Sequence, residues 1–169
     1  MMEIRSTEQY ILDEMKKRKT LCFPLIDSEN TSKTIELAKR LEQLGASAIL
    51  VGGSSTSDQI ELSSFVTELK ANIKIPIILF PGNITGISPA ADAILFSSLL
   101  NSENPYYITG AQAQGALVVN KYNIEAIPTG YLIIGDGSTA WFIGQAKSIP
   151  FGKANIAVMY ALAALYMGM

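Results

Sequence analysis

The sequence contains no histidine among its 169 residues, and this absence restricts the chemistry that the chain can perform. Histidine is the commonest general base and the commonest zinc ligand. Catalysis by Ser-His-Asp or Cys-His arrangements is therefore excluded, and acid–base work falls to Asp, Glu, Lys or Tyr. Any metal ion should be a hard cation such as Mg²⁺, held by oxygen atoms.

Cysteine, net charge and long apolar runs are also scarce. The single cysteine, Cys22, lies in the apolar segment 21–26, so we expect it to be buried in a protein of a reducing compartment, the cytoplasm. A net charge of −2 argues against a nucleic-acid partner held by bulk electrostatics. The longest apolar stretch, 156–169, is shorter than the roughly 20 residues that cross a bilayer.

Strand-like and helix-like segments alternate along the chain, which is typical of an α/β fold with a parallel sheet. The patterns predict helices at 6–18, 31–44, 58–72, 105–121 and 152–167, and strands at 20–26, 48–51, 77–80, 93–96 and 126–134. Residues 140–145 resemble an added short strand that forms a hairpin with the fifth strand. No linker is evident, so residues 1–169 are predicted to form a single domain.

Five strands with their helices fit either a doubly wound sheet or an unfinished barrel. A (β/α)₈ barrel usually has about 250 residues, so the length favours the doubly wound sheet. The end of the sequence favours the barrel, because Gly168 is a C-cap signal after which another strand is expected. The patterns alone leave both architectures open.

The most informative segment is 49–58, in which an apolar run stops at Gly52 and Gly53 and small polar residues follow. A strand, a glycine-rich turn and a helix place free backbone N–H groups and a helix N-terminus beside an anion such as phosphate. Ser57 or Asp58 is the predicted N-cap of that helix. The alternative is that the two glycines only allow a tight turn.

Asp27 is the best placed carboxylate, because functional groups collect at the carboxyl ends of strands in barrels and open α/β sheets. Asp27 follows the first predicted strand, and Ser54 follows the second. Both are candidate ligands of Mg²⁺, which needs only one or two protein oxygens and takes the rest from water and substrate phosphate. Capping of the next helix is the alternative role for Asp27.

Several motifs, in order, resemble those of geranylgeranylglyceryl phosphate synthase, a family closely related to the bacterial heptaprenylglyceryl phosphate synthases. They are Phe-Pro-Leu-Ile-Asp at 23–27, Ile-Leu-Val-Gly-Gly-Ser at 49–54, Ala-Asp-Ala-Ile-Leu-Phe-Ser-Ser-Leu-Leu-Asn-Ser at 91–102, Asn-Pro-Tyr-Tyr-Ile at 104–108, Ile-Pro-Thr-Gly-Tyr-Leu-Ile-Ile at 127–134 and Gly-Gln-Ala-Lys-Ser-Ile-Pro at 144–150. The similarity runs from about residue 20 to residue 169.

The resemblance implies a TIM (β/α)₈ barrel of which about the first five β/α units are present. It implies a magnesium-dependent prenyltransferase of archaeal ether-lipid synthesis, which joins geranylgeranyl diphosphate to the 3-hydroxyl of sn-glycerol 1-phosphate. By the same resemblance, the metal ligands fall on Asp27 and Ser54, beside the diphosphate-binding Gly52 and Gly53. Tyr131 and Tyr106 are candidates for contact with the prenyl tail, with ordinary core packing as the alternative.

The resemblance is incomplete at its C-terminal side. The family continues with a strand bearing Tyr-Leu-Glu-Ala-Gly-Ser-Gly, whose glutamate is the supposed base, and with glycine motifs that bind glycerol phosphate. Residues 1–169 contain none of these motifs. We therefore expect the front two thirds of a synthase, with no catalytic residue of its own and no activity when alone.

Two further expectations concern partners and an alternative class. Open sheet edges and apolar helix faces should be covered by a missing C-terminal segment or by a homo-oligomeric partner. The prenyl substrate is also compatible with peripheral membrane contact. The alternative is a complete flavodoxin-like domain that binds a phosphate-containing ligand, or regulates, without catalysis.

Overall fold

The computed structural model describes residues 4–27, 31–53 and 58–169. The strands in this part are β1 (Leu25–Asp27), β2 (Ile49–Gly53), β3 (Ile77–Pro81), β4 (Ala93–Leu99) and β5 (Glu125–Tyr131). The α-helices are α1 (Ser6–Lys17), α2 (Thr31–Gln43), α3 (Gln59–Asn72), α4 (Ala111–Lys121), α5 (Thr139–Gly144) and α6 (Ala154–Tyr166). A short 3₁₀ turn covers Ile84–Gly86, and a π-helical turn covers Tyr106–Gly110.

The sheet is parallel where pairs are defined, and its strands follow chain order. β1 pairs with β2, β2 with β3 and β3 with β4, each in parallel. The order across the sheet is β1-β2-β3-β4-β5. In doubly wound sheets the order in which successive strands are added reverses, as in the flavodoxin-like strand order 2-1-3-4-5. The observed order therefore argues against the flavodoxin-like alternative and fits successive units of a barrel.

Consecutive apolar residues in β3 explain why this strand lies inside the sheet. Ile77, Ile78 and Leu79 are all fully buried, so side chains on both faces of the strand are covered. Strands covered on both faces need continuous apolar runs rather than alternation. Each such side chain contributes about 1.5–3 kcal/mol when it leaves water.

Asp58 caps helix α3 and so fixes where the chain leaves the loop after β2. Its carboxylate accepts hydrogen bonds from Ile60 N at 2.7 Å and Glu61 N at 3.4 Å. The structure thus assigns the predicted cap to Asp58, whereas Ser57 lies outside the described residues. Carboxylate caps satisfy N–H groups that the first turn of a helix leaves without partners.

Helix α1 is capped by a residue distant in sequence. Arg5, at its N-cap position, makes no side-chain cap hydrogen bond. The buried carboxylate of Glu125, at the start of β5, accepts from Thr7 N at 2.8 Å and from Glu8 N at 2.7 Å. A negative charge is favourable at a helix N-terminus, and the hydrogen bonds compensate for its burial.

The chain forms two compact units, residues 1–95 with 118–127 and residues 96–117 with 128–169. In the first unit a buried cluster of Ala48, Ile78 and Ala93 is packed against by partly buried apolar side chains that include Phe23 and Leu50. In the second unit the buried cluster is Leu99, Ile133 and Ala146, against which Tyr107, Tyr131 and Trp141 pack.

The predicted hairpin strand at 140–145 is wrong, because this segment forms helix α5. The Ser138 hydroxyl caps the helix by accepting from Trp141 N at 3.0 Å, and Gln145 ends it in the left-handed conformation with φ of 47°. These two local signals favour a short helix over a strand. β5 also ends at Tyr131 rather than at 134, and Ile134 instead bridges to Ile149.

The predicted burial of Cys22 is also wrong, because its side chain is exposed. β1 begins only at Leu25 and lies at the edge of the sheet, so residues before it have a neighbouring strand on one side only. The Cys22 carbonyl accepts from Ser47 N at 2.9 Å, and the side chain remains exposed. An apolar run at a sheet edge therefore does not imply burial.

Candidate functional site

The carboxyl ends of β1 and β2 bring together Asp27 and Gly52, the first glycine of the predicted turn. In the parallel register Asp27 is the partner of Gly52, and Gly53 is the partner of Pro81 on β3. Adjacent strands lie about 4.8 Å apart, so the backbones of Asp27 and Gly52 are immediate neighbours. Ser54, the other predicted metal ligand, lies outside the described residues.

A side chain at Gly52 would crowd its neighbours on β1 and β3. A Cβ atom at this position would lie 2.8 Å from Leu25 Cδ1 and 3.0 Å from the carbonyl oxygen of Phe80. Gly52 and Gly53, where the sequence predicted a turn, are the last residues of β2. Glycine at 52 therefore suits close packing between β1 and β3.

The Asp27 carboxylate fits the limited protein contribution that Mg²⁺ requires. Asp27 is exposed, and none of the ion pairs among the described residues involves it. In the same part of the chain, His, Cys, Asp and Glu side chains form no group of three that could hold a metal ion. Magnesium usually takes one or two carboxylates and completes its octahedron with water and phosphate oxygens, so a single accessible aspartate is suitable.

The two tyrosines predicted to contact a prenyl tail belong to the second compact unit. Tyr131 is at the end of β5 and packs against the cluster of Leu99, Ile133 and Ala146. Its burial removes water from the phenol and raises its pKa above the ordinary tyrosine value. Tyr106 begins the π-helical turn, and its ring meets that of Tyr107 edge to face, with centroids 5.1 Å apart.

Asn101 is a further structural residue at the carboxyl end of β4, and sequence reasoning assigned it no role. Its side chain is fully buried, and its Nδ2 donates to the carbonyls of Ile133 and Lys147, both at 2.9 Å. Its Oδ1 accepts from Ile133 N at 3.2 Å. Asn101 therefore joins the residues after β5 to the segment after α5. A polar residue directly after an apolar strand is the signal that could have revealed it.

Comparisons with known proteins identify the family. The profile of the PcrB family matches residues 13–169. Geranylgeranylglyceryl phosphate synthase of Nitrosopumilus maritimus (strain SCM1) is 60% identical over 164 residues, which are 96% of this chain and 66% of that protein. The enzyme of the same name from Pyrococcus furiosus is 49% identical over 99% of this chain and 67% of its own length.

A solved structure supports the same assignment. The crystal structure of (S)-3-O-geranylgeranylglyceryl phosphate synthase from Thermoplasma acidophilum, in complex with the substrate sn-glycerol-1-phosphate, superimposes with a TM-score of 0.89 at 33% identity. The match covers 99% of this chain and 68% of that one. The fold predicted from the resemblance, a barrel type with about five β/α units present, is confirmed.

The chain spans about two thirds of the length of these relatives. Within the described residues, no helix is long and apolar enough to cross a membrane. The predicted resemblance to geranylgeranylglyceryl phosphate synthase is confirmed by the family profile, by close relatives and by a solved structure. The chain belongs to the PcrB family.

Proposed function

We propose that these residues are the donor-binding part of a prenyltransferase that joins geranylgeranyl diphosphate to sn-glycerol 1-phosphate. The observation that carries this proposal is the register of Asp27 with Gly52 at the carboxyl ends of β1 and β2, in a chain whose relatives bear the name of that enzyme. Carboxyl strand ends are where barrel enzymes assemble their active sites.

The donor's diphosphate is assigned to the first compact unit. Asp27 and Ser54 are the proposed ligands of Mg²⁺, and Gly52 and Gly53 let backbone N–H groups approach the phosphate oxygens. When bound, Mg²⁺ neutralises negative charge on the departing diphosphate.

The donor's isoprenoid tail is assigned to Tyr131 and Tyr106. Tyr131 and Tyr106 offer aromatic surface, and burial raises the pKa of the Tyr131 phenol further above the neutral range. Aromatic rings bind apolar chains through large contact areas and exclude water from the reacting end.

Binding of the acceptor and proton removal are assigned to no residue of this chain. The family's supposed glutamate base and its glycerol-phosphate motifs do not occur in residues 1–169. We therefore propose that a polypeptide of only these residues binds the donor but does not transfer the prenyl group. The same proposal places the protein in the cytoplasm, in peripheral contact with membranes that hold its product, with a homo-oligomeric partner or a C-terminal segment covering its apolar surface.

Calorimetric titration with a nonhydrolysable geranylgeranyl diphosphate analogue, with and without Mg²⁺, tests the donor site. Asp27→Ala should weaken binding at least about tenfold, and only when Mg²⁺ is present, since a metal ligand is lost. Asp13→Ala is the matched control, because Asp13 is an exposed aspartate of the same unit that pairs, among the described residues, with the exposed Lys16. Equal affinity of wild type, Asp27→Ala and Asp13→Ala would overturn the proposal.

A further inference from the structure

The π-helical turn Tyr106–Gly110 connects the segment after β4 to helix α4. In this turn Ala111 N donates to the carbonyl of Tyr106, five residues earlier. A π turn holds one more residue than an α-helical turn, is rare, and is frequently found at functional sites. It persists only where surrounding contacts stabilise it.

Two side chains hold the π turn against β4. The hydroxyl of Ser98, a buried residue of β4, donates to the Ile108 carbonyl at 2.8 Å. From the helix side, Gln112 Nε2 donates to the carbonyl of Ser97 at 2.5 Å and to that of Tyr107 at 3.3 Å. Two of these bonds use carbonyls of the turn itself, those of Ile108 and Tyr107, and the third ties Gln112 to β4, so together they favour the π geometry over a regular α-helix.

Gln112 keeps these bonds although part of its side chain is poorly satisfied. Its Oε1 atom is buried and has no hydrogen-bond partner in the described ranges. A buried acceptor without a donor destabilises the folded state. A residue that costs stability while fixing a local geometry is expected where that geometry serves function.

The turn determines where the ring of Tyr106 lies. The ring is edge to face with Tyr107, at an interplanar angle of 86°. Tyr107 itself packs against the buried cluster that Tyr131 also contacts. Gly110 leaves room for the Tyr106 ring, because a Cβ at that position would be 3.3 Å from Tyr106 Cδ2.

We propose that Ser98, Gln112 and Gly110 are positioning residues, which hold the π turn so that Tyr106 contacts the isoprenoid tail of the donor. This inference rests on the proposed function. Without the Ser98 hydroxyl the turn relaxes towards an α-helix, and residues on its N-terminal side rotate by about 100° about the helix axis for each residue of register. Tyr106 then leaves its place beside Tyr107.

The test compares a tailed ligand with a tailless one on the full chain. The ligands are the nonhydrolysable geranylgeranyl diphosphate analogue and inorganic diphosphate, each with Mg²⁺. Ser98→Ala should weaken binding of the analogue about tenfold, the equivalent of one lost aromatic contact. The affinity for inorganic diphosphate should stay unchanged. Ser98→Thr retains the hydroxyl and should restore wild-type affinity. Ser97→Ala is the matched control, because Ser97 contributes its backbone carbonyl to Gln112.

Gly110→Ala tests the same inference without loss of a hydrogen bond. Alanine favours helix formation over glycine, so the variant should fold, but its methyl group displaces the Tyr106 ring. The variant should bind the analogue more weakly and bind inorganic diphosphate with unchanged affinity. Trp141, the single tryptophan, packs against the same cluster as Tyr107, so its fluorescence should change on analogue binding in wild type and less in both variants.

The outcomes separate the two proposals. If wild type binds the analogue and both Ser98→Ala and Gly110→Ala bind it equally well, the positioning inference is overturned and the donor site stands. If wild type binds neither ligand, the proposed function fails and this inference fails with it. Loss of inorganic diphosphate binding along with the analogue would also overturn the inference, because it indicates general disruption.

Discussion

Replacing Gly52 by alanine should destabilise the protein at the centre of its proposed diphosphate site. The new Cβ would lie 2.8 Å from Leu25 Cδ1 and 3.0 Å from the Phe80 carbonyl oxygen. The Leu25 side chain is 58% exposed and can rotate away. The Phe80 carbonyl belongs to the sheet backbone, so β2 and β3 must separate by several tenths of an ångström around it.

The expected cost follows from the contact that cannot relax. Overpacking of a well-packed site costs about 1–3 kcal/mol in the free energy of unfolding. For a domain of this size each kcal/mol lowers the melting temperature by about 2–4 °C, so the decrease should be about 2–12 °C. Gly152→Ala is the matched control, because a Cβ there meets no atom within 4 Å. It should change stability by no more than about 0.5 kcal/mol.

Urea unfolding followed by circular dichroism measures both variants. The double variant Leu25→Ala with Gly52→Ala should recover only the part of the loss that comes from the leucine, because the carbonyl contact remains. A transition midpoint for Gly52→Ala equal to that of Gly152→Ala would refute the packing argument. Gly52 would then be needed only if the anion site requires it, which the diphosphate titration measures separately.

Three other predictions concern residues that join distant parts of the chain. Glu125→Ala removes the acceptor of the Thr7 amide and should lower the free energy of unfolding by about 2–4 kcal/mol, measured by urea titration. Asn101→Leu leaves the Ile133 amide without its acceptor, so hydrogen exchange at that amide should accelerate. The Tyr131 pKa is raised by burial, so its contribution to stability is present below pH 10 and decreases as the pH rises above it; Tyr131→Phe should lack this alkaline decrease.

Each of these has a control or a contrary result. Glu125→Gln keeps one oxygen acceptor, so its free energy of unfolding should fall less than that of Glu125→Ala. Equal decreases would contradict a capping role for the carboxylate. Unchanged hydrogen exchange of the Ile133 amide in Asn101→Leu would show that the hydrogen bond to the Asn101 side chain does not protect this amide. Absorbance at 295 nm should show one tyrosine fewer titrating late in Tyr131→Phe, and an unaltered curve would contradict the raised pKa.

The site illustrates how far residues alone could lead. The apolar run before Gly52 and the position of Asp27 after a strand were sufficient to predict that both lie at carboxyl strand ends, and the register makes them neighbours. The Asp58 cap was also predictable, since capping depends on a few adjacent residues. The metal and diphosphate roles of Asp27, Ser54, Gly52 and Gly53 stay predictions, as no contact within the described residues tests them.

The sequence by itself determined the alternation of helices and strands and most of the elements, α5 excepted, because hydrophobic period and capping are local properties. The tertiary structure decided everything that depends on which segments become neighbours. Contacts between residues that are not adjacent in sequence decided four features. These are the strand order β1-β2-β3-β4-β5, the capping of α1 by Glu125, the exposure of Cys22 and the hydrogen bonds that hold the π turn. No local pattern encodes such contacts, since their free energy exists only once the sheet has brought the partners together.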